Sequence, residues 1–317
     1  MNFETWNNYK ICRVEEQHFS ALIEISESAF GLNPEASYFK LKNNTSHWGD
    51  PYLGFIAFDI NDKPAAFYGV YACLIKVDGK NVRVVQSGDT MTHKEHTGKG
   101  LFTKLAQMTY DLCRELNYKF VFGFPNYNSY PGFVKKLNWI CPGKLNEYRI
   151  KVSTLPLVKA SKKFPQLKPL LKLYFNFVNS LHSEKDIYFN SSVLNGGQDG
   201  LIRTKEFVDY KLSCGESYIV KIGSVKIWMK PDGFLYIGDV DISGNFDFKE
   251  FISSLKKYCF WIGADTVSFI TTPGTFLDNE FKKITDAIES LPYGWCDFNS
   301  ETDFSKIGFV MADIDTF

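Results

Sequence analysis

The segment Thr97-Gly98-Lys99-Gly100 carries the residue types of an anion cradle. A pyrophosphate needs several backbone N–H groups converging on it without obstruction from a Cβ. A glycine-rich turn entering a helix supplies them, and the helix dipole adds favourable potential. Gly98 and Gly100 would open the approach, and Lys99 would add charge at the rim. The dinucleotide fingerprint is excluded, because it needs a third glycine at position 103, which is Thr. The Walker pattern fails as well. The competing reading is a plain turn in which the glycines serve geometry alone.

Two side chains near this loop have the chemistry to accept a proton. Asp89 precedes it on a strand, and His93 stands at its mouth. Glu95 and His96 read as solvated loop residues. A second chemistry-bearing stretch runs from Gly123 to Phe133, with Asn126, Asn128 and Tyr130 among prolines and aromatics. The seven cysteines, at 12, 73, 113, 141, 214, 259 and 296, include no CxxC pair, so neither a metal cluster nor a disulfide framework is expected. Cys73 and Cys113 fall on apolar positions, which argues against a covalent cysteine mechanism.

Periodicity supplies the elements that must position these groups. A strand is predicted at Tyr9–Val14, then a helix over Glu16–Ala29 stopped by Gly31. Asn33 and Pro34 open a second short helix. Strands follow at Tyr52–Phe58, Ala65–Val77 and Val82–Met91, the last two joined by the hairpin pair Asp78-Gly79. The glycine loop comes next, then a helix from Leu101 to about Leu116, a strand at Lys119–Phe124, a short helix at Pro131–Leu137 and a strand over Trp139–Val152.

A second series follows a linking helix at 155–180. A helix over Leu201–Leu212 is capped by Thr204. Strands are expected at Ser217–Ile222, Lys226–Lys230 and Phe234–Asp241. Then come a helix at Asp247–Phe260, a strand at Thr266–Thr271, a helix at Asn279–Ser290 and a closing strand at Ile307–Asp313. The order repeats that of the first half. At the place of the glycine loop it has Ser243-Gly244-Asn245-Phe246-Asp247, whose carboxylate would repel a pyrophosphate, so one cofactor site per chain is expected.

Composition is consistent with two globular domains. The chain has 317 residues, 44% hydrophobic and 23% charged, against a prior of one domain per ~150 residues. Lys+Arg and Asp+Glu balance at 36 each, so no overall basic field exists to hold nucleic acid. Five lysines between 159 and 172, interrupted by Leu and Phe, read as an amphipathic helix with a wet basic face. No signal peptide and no membrane-spanning run is expected, which points to the cytoplasm.

The strand order and the loop together resemble the GCN5-related N-acetyltransferase (GNAT) superfamily. Its signature, Arg/Gln-x-x-Gly-x-Gly/Ala, aligns with Thr97-Gly98-Lys99-Gly100-Leu101-Phe102; Gly100 agrees, while Thr97 replaces the first residue and Phe102 the small one. The resemblance implies an α/β (α+β) fold of two tandem GNAT-like domains, each a mixed, mostly antiparallel sheet flanked by helices. Residues 1–152 would form the acyl-CoA-binding catalytic domain and 153–317 a degenerate, acceptor-binding or structural one.

By resemblance, the amides of Thr97, Gly98, Lys99, Gly100, Leu101 and Phe102 hold the pyrophosphate of coenzyme A. The backbone at Met91 and Thr92 pairs with the pantetheine arm, which Asn126 or Asn128 also contacts. The family's usual tyrosine acid aligns with Val134, leaving Tyr130 as the nearest substitute. Asp89 and His93 are the candidate bases, and no metal is required.

The Phe-Pro-Asn-x-Asn-Ser-Tyr-Pro-Gly-Phe stretch resembles two-domain enzymes that use acetyl-CoA or 3-hydroxybutanoyl-CoA to acylate a dTDP-linked 3-amino-3,6-dideoxyhexose for surface polysaccharides. Trp228, Tyr236 and Trp295 are expected to pack in the core, with stacking on the acceptor's base the other reading for each. The alternatives are a tandem aminoacyl or peptide N-acyltransferase and a non-catalytic acyl-CoA sensor.

Overall fold

The computed structural model describes residues 4–155, 157, 163–183, 188–232, 234–298 and 302–317. The chain forms two compact units, and each takes a segment from the other half of the sequence. Unit 1 comprises residues 1–143 and 291–304; unit 2 comprises 144–290 and 305–317.

Unit 1 opens with β1 (Glu4–Trp6) and β2 (Tyr9–Arg13), followed by helices α1 (Phe19–Phe30) and α2 (Ala36–Asn43). Then come β3 (Leu53–Phe58), β4 (Pro64–Val77), β5 (Lys80–Thr92), α3 (Leu101–Glu115), β6 (Phe120–Gly123) and α4 (Tyr130–Lys136). Strands β1 to β5 pair antiparallel in order, and β6 adds parallel to β5.

Successive residues of a strand face opposite sides of its sheet, and β4 shows what each side receives. Phe67 belongs to a core with Phe19, Leu22 and Ile25 of α1 and Phe39 of α2. Each such buried side chain contributes about 1.5–3 kcal/mol. Its neighbour Tyr68 exchanges a 2.9 Å hydroxyl–hydroxyl hydrogen bond with Tyr110 of α3. Helices α1 and α3 therefore cover opposite faces.

The second helix starts later than Asn33-Pro34 suggested: its first residue is Ala36 and its cap position is Glu35. An Asn-Pro pair marks equally well a turn that precedes a helix, because proline restricts the residue before it to extended backbone.

Strand β7 (Ile140–Lys151) leaves unit 1 at Gly143. Unit 2 continues with α5 (Lys168–His182), α6 (Ser192–Asn195), β8 (Gly200–Leu201), α7 (Lys205–Cys214) and strands β9 (Tyr218–Ile222), β10 (Val225–Asp232) and β11 (Phe234–Val240). Helix α8 (Phe248–Ile262), β12 (Thr266–Thr271), α9 (Phe276–Phe281) and β13 (Ile288–Asp297) complete the chain's regular elements. Thr204 caps α7 as expected, accepting from the Phe207 amide. The part of the linking helix expected at 156 and 158–162 lies outside the described residues.

Two expectations for the end of the chain are corrected. The helix placed at Asn279–Ser290 stops at Phe281, and Ile288–Asp297 is a strand. Pro292 and Gly294 disfavour a helix there, and Leu291, Tyr293 and Trp295 alternate as a strand requires. Residues 307–313 form no strand; isolated bridges at Ile307 and Val310 lead into a 3-10 turn.

The closing strands also differ from the expected division at 152. Residues 144–151 of β7 pair with β12 inside unit 2, with Asn146 opposite Thr271 and Lys151 opposite Thr266. The place beside β6 in unit 1 is taken by β13, with Gly294 opposite Gly123 and Asp297 opposite Phe120. Each unit thus closes its sheet with a strand from the other half of the sequence.

In unit 2, β11 and β12 pair in parallel from Leu235↔Val267 to Ile237↔Phe269 and no further. The tail packs where they part. The Thr272 amide donates to the Phe309 carbonyl at 2.8 Å, and the Phe317 ring meets buried Trp228 at 6.0 Å.

Candidate active site

Strand β5 carries the candidate site of unit 1. It pairs with β6 only at Val85↔Val121 and Gln86↔Phe122. Strand β6 stops at Gly123 while β5 continues to Thr92. From Ser87 onward β5 has no strand pairing on that side among the described residues, which leaves that edge open to an extended, amide-bearing ligand. Met91 and Thr92 lie on this stretch; Met91 is buried.

The loop beyond it matches the requirements of an anion cradle. Gly98 and Gly100 have φ of 77° and 84°, the left-handed region that glycine enters at no steric cost. Gly100 is the cap residue of α3 and brings no side chain to the cap. The first-turn amides of α3, which have no partner within the helix, are therefore left for an external acceptor.

A cavity of about 170 Å³ lies at this helix end, lined by Thr92, His96, Thr97, Gly98, Gly100, Leu101, Phe102, Thr103 and Lys136. Lys136, from α4, brings a cation to the cavity; Lys99 does not line it. The His96 ring is not solvated as expected: it is buried, receives a 2.9 Å contact from the Tyr9 hydroxyl and lies 3.5 Å from Lys99 Nζ. Burial, with the Lys99 charge, holds its pKa below the usual histidine value.

Phe102 departs from the small residue of the signature, and the structure accommodates it. Its ring meets Phe133 at 5.2 Å and Tyr68 at 5.9 Å, both edge-on. Gly132 of α4 makes the room, since a Cβ there would stand 2.7 Å from the Phe102 ring. Gly132→Ala is expected to destabilise the protein by about 1–3 kcal/mol through overpacking, measured by urea unfolding. Adding Phe102→Leu should restore most of the loss. A neutral Gly132→Ala would refute this packing account.

Asp89 sits at a bulge. Phe67 faces Met91 and Gly69 faces Gly88, so Tyr68 alone opposes Asp89 and Thr90. Asp89 takes φ 47°, where Asp is among the few tolerated residues other than glycine. Both carboxylate oxygens are engaged: Lys42 Nζ donates at 2.7 Å to one and the Tyr71 hydroxyl donates to the other. Lys42 is 2% exposed, and its ammonium lies 5.5 and 5.2 Å from the Tyr38 and Tyr71 ring centroids.

Sequence reasoning missed Lys42, Tyr71 and Tyr38. The signal for Lys42 was its spacing: Phe39, Lys42 and Asn43 are buried together, three and four residues apart on one helix face. A lysine on an apolar face needs a carboxylate partner.

The other expected residues are less embedded. His93 Nδ1 accepts from the Glu95 amide at 3.3 Å, capping a short turn. Asn126 is exposed, and its side-chain carbonyl accepts from the Asn128 and Ser129 amides at 3.0 Å, folding the loop before α4. Asn128 is exposed, and Tyr130 is half-buried at the first position of α4. Burial pushes the Cys113 thiol up to about 12, which disfavours a thiolate there.

The corresponding helix start of unit 2 is built differently. At the equivalent helix start, the Asp247 carboxylate accepts from the Glu250 amide at 2.9 Å and already holds the anionic position. Trp228 and Trp295 are buried and cannot stack on an external base; Tyr236 is half-buried.

Residues 10–141 match the acetyltransferase (GNAT) domain family. No curated protein matches the chain. Among solved structures it is similar to a conserved protein of unknown function from Enterococcus faecalis V583, with 13% identity and a TM-score of 0.61 over 94% of this chain and 75% of that one. It is also similar to GCN5-related N-acetyltransferases from Kribbella flavida (10% identity, TM-score 0.56, 92% and 71% covered) and Anabaena variabilis (12%, 0.55, 92% and 73%).

The large mixed sheet flanked by helices is that of a GNAT fold. Through the acetyltransferase domain that residues 10–141 match, the protein is an N-acyltransferase, and GNAT domains use acyl-CoA as cosubstrate.

Proposed function

We propose that the enzyme transfers an acetyl or 3-hydroxybutanoyl group to the amino group of a nucleotide-linked amino-deoxy sugar, such as a dTDP-3-amino-3,6-dideoxyhexose. The transferase chemistry rests on one observation: strand β5 carries Asp89 at its bulge and runs on, four residues along at His93, into the loop of the cradle. An acyl group held along the open edge of β5 would lie near that bulge.

A thioester is already activated, so the protein has to present a neutral amine and manage two protons. In this reading Asp89, aimed by Lys42 and Tyr71, orients the amine and takes its proton, relayed by water. Tyr130 hands a proton to the departing thiolate. The amides at 97–102, with Lys99 and Lys136 nearby, hold the pyrophosphate. Unit 1 is the catalytic domain, and unit 2 serves the acceptor or the architecture.

The acceptor assignment is supported by the 124–133 stretch, which places Tyr127 at the surface with 83% exposure, and by the balanced net charge, which is unfavourable to a tRNA acceptor. The experiment is thiol release from acetyl-CoA with purified protein. Release only when a dTDP-amino sugar is added is the expected result. CoA binding without release on any amine would favour a sensor instead. Tyr130→Phe should lower kcat by roughly 10²-fold, the scale of one general acid, with little change in CoA affinity. Full activity would return Tyr130 to a packing role.

A further inference from the structure

We infer that helix α5 and the adjoining end of α8 form a docking surface for an anionic lipid bilayer. Leu170, Leu173, Phe177 and Leu181 of α5 are each more than 60% exposed. Their spacing of three, four and four residues lines them up along one stripe of the helix. Single exposed apolar residues are ordinary, but a four-member stripe over three turns marks an interaction site.

Helix α5 is tied to the end of α8. The Tyr174 hydroxyl donates at 3.0 Å to the carbonyl of Trp261, whose indole is 56% exposed beside the 39% exposed Phe260. Lys256 and Lys257 are exposed one turn before them. Trp, Phe and Leu beside lysines are the side chains that settle at a headgroup boundary.

Charge identifies the occupant. Residues 150–183 contain six Lys and no Asp or Glu, in a chain whose totals balance at 36 each. A second copy of this chain would bring like charges together across the stripe, whereas an anionic bilayer offers a hydrocarbon edge and opposite charge in one plane. No described helix is long and apolar enough to cross a membrane, so contact along the surface is the geometry left to α5.

The full-length protein should be sedimented with vesicles of phosphatidylcholine alone and with about one third phosphatidylglycerol. Binding is expected to be at least ~10-fold stronger to the anionic vesicles, to weaken at ~0.5 M salt, and to disappear in Leu173→Ser/Phe177→Ser. Both changed positions are exposed, so the double variant should keep its circular dichroism and CoA affinity.

Trp261 emission should shift to the blue on binding, with the shift lost in Trp261→Phe. Equal binding to both vesicle types, or unaltered binding of the double variant, would overturn the proposal. So would a dimer in light scattering that the double variant breaks, because the stripe would then be covered by a second copy.

Discussion

Gly100→Val is expected to weaken CoA binding at least ~100-fold, about 2.7 kcal/mol, while the protein stays folded. Two effects add. Valine is strained at φ 84°, at about 1–3 kcal/mol. A Cβ at this position would also stand 3.3 Å from the Trp6 indole. The backbone relieves both by turning the first amides of α3 away from the cavity. Gly98→Ala provides the graded control, because it has similar φ but nothing within 4 Å of its Cβ, so its loss should be smaller. Isothermal titration with CoA, alongside thermal unfolding, tests the pair. Unchanged affinity in Gly100→Val would remove the cradle assignment.

Lys42→Met is expected to cost about 3–5 kcal/mol of stability, the scale of breaking a buried ion pair by removing one partner. Lys42 is 2% exposed and donates at 2.7 Å to Asp89, so its removal leaves a carboxylate with the Tyr71 hydroxyl alone. The double variant Lys42→Met/Asp89→Asn should regain most of that stability, because Asn tolerates the left-handed backbone and carries no charge. It should not regain turnover, which is expected to stay down by ~10² or more while CoA affinity holds. Urea unfolding and steady-state kinetics on the same three variants separate the two effects. Restored turnover in the double variant would make the pair purely structural.

Local signals explain what the sequence made legible. The Asp78-Gly79 hairpin, the cap at Thr204 and the entire β12 strand follow from turn chemistry and period, and the structure keeps them. The glycine loop was readable because its requirement is local: two positive-φ residues before a helix.

The Lys42–Asp89–Tyr71 cluster was not readable. Its members lie on α2, β5 and β4, and only tertiary pairing joins positions 47 and 18 residues apart. Phe102 looked like a mismatch because its compensation, Gly132, sits on another helix. The exchange of β7 and β13 was hidden for the same reason. A strand's pattern reveals its faces but not its neighbour, and Pro292 and Gly294 further blurred β13.

That exchange sets a timetable for synthesis. The strand that completes the cofactor-binding sheet lies at 291–297, while the rest of that sheet ends near 143. At ~5–20 residues per second, roughly 7–30 s of translation separate the two. Throughout that interval β6, with its buried Phe120 and Phe122, has an uncovered edge of the kind that invites pairing with other chains. A ribosome stalled in the second half would carry an unfinished enzyme, and a gene cut at residue 152 would yield two fragments that each lack a strand held by the other.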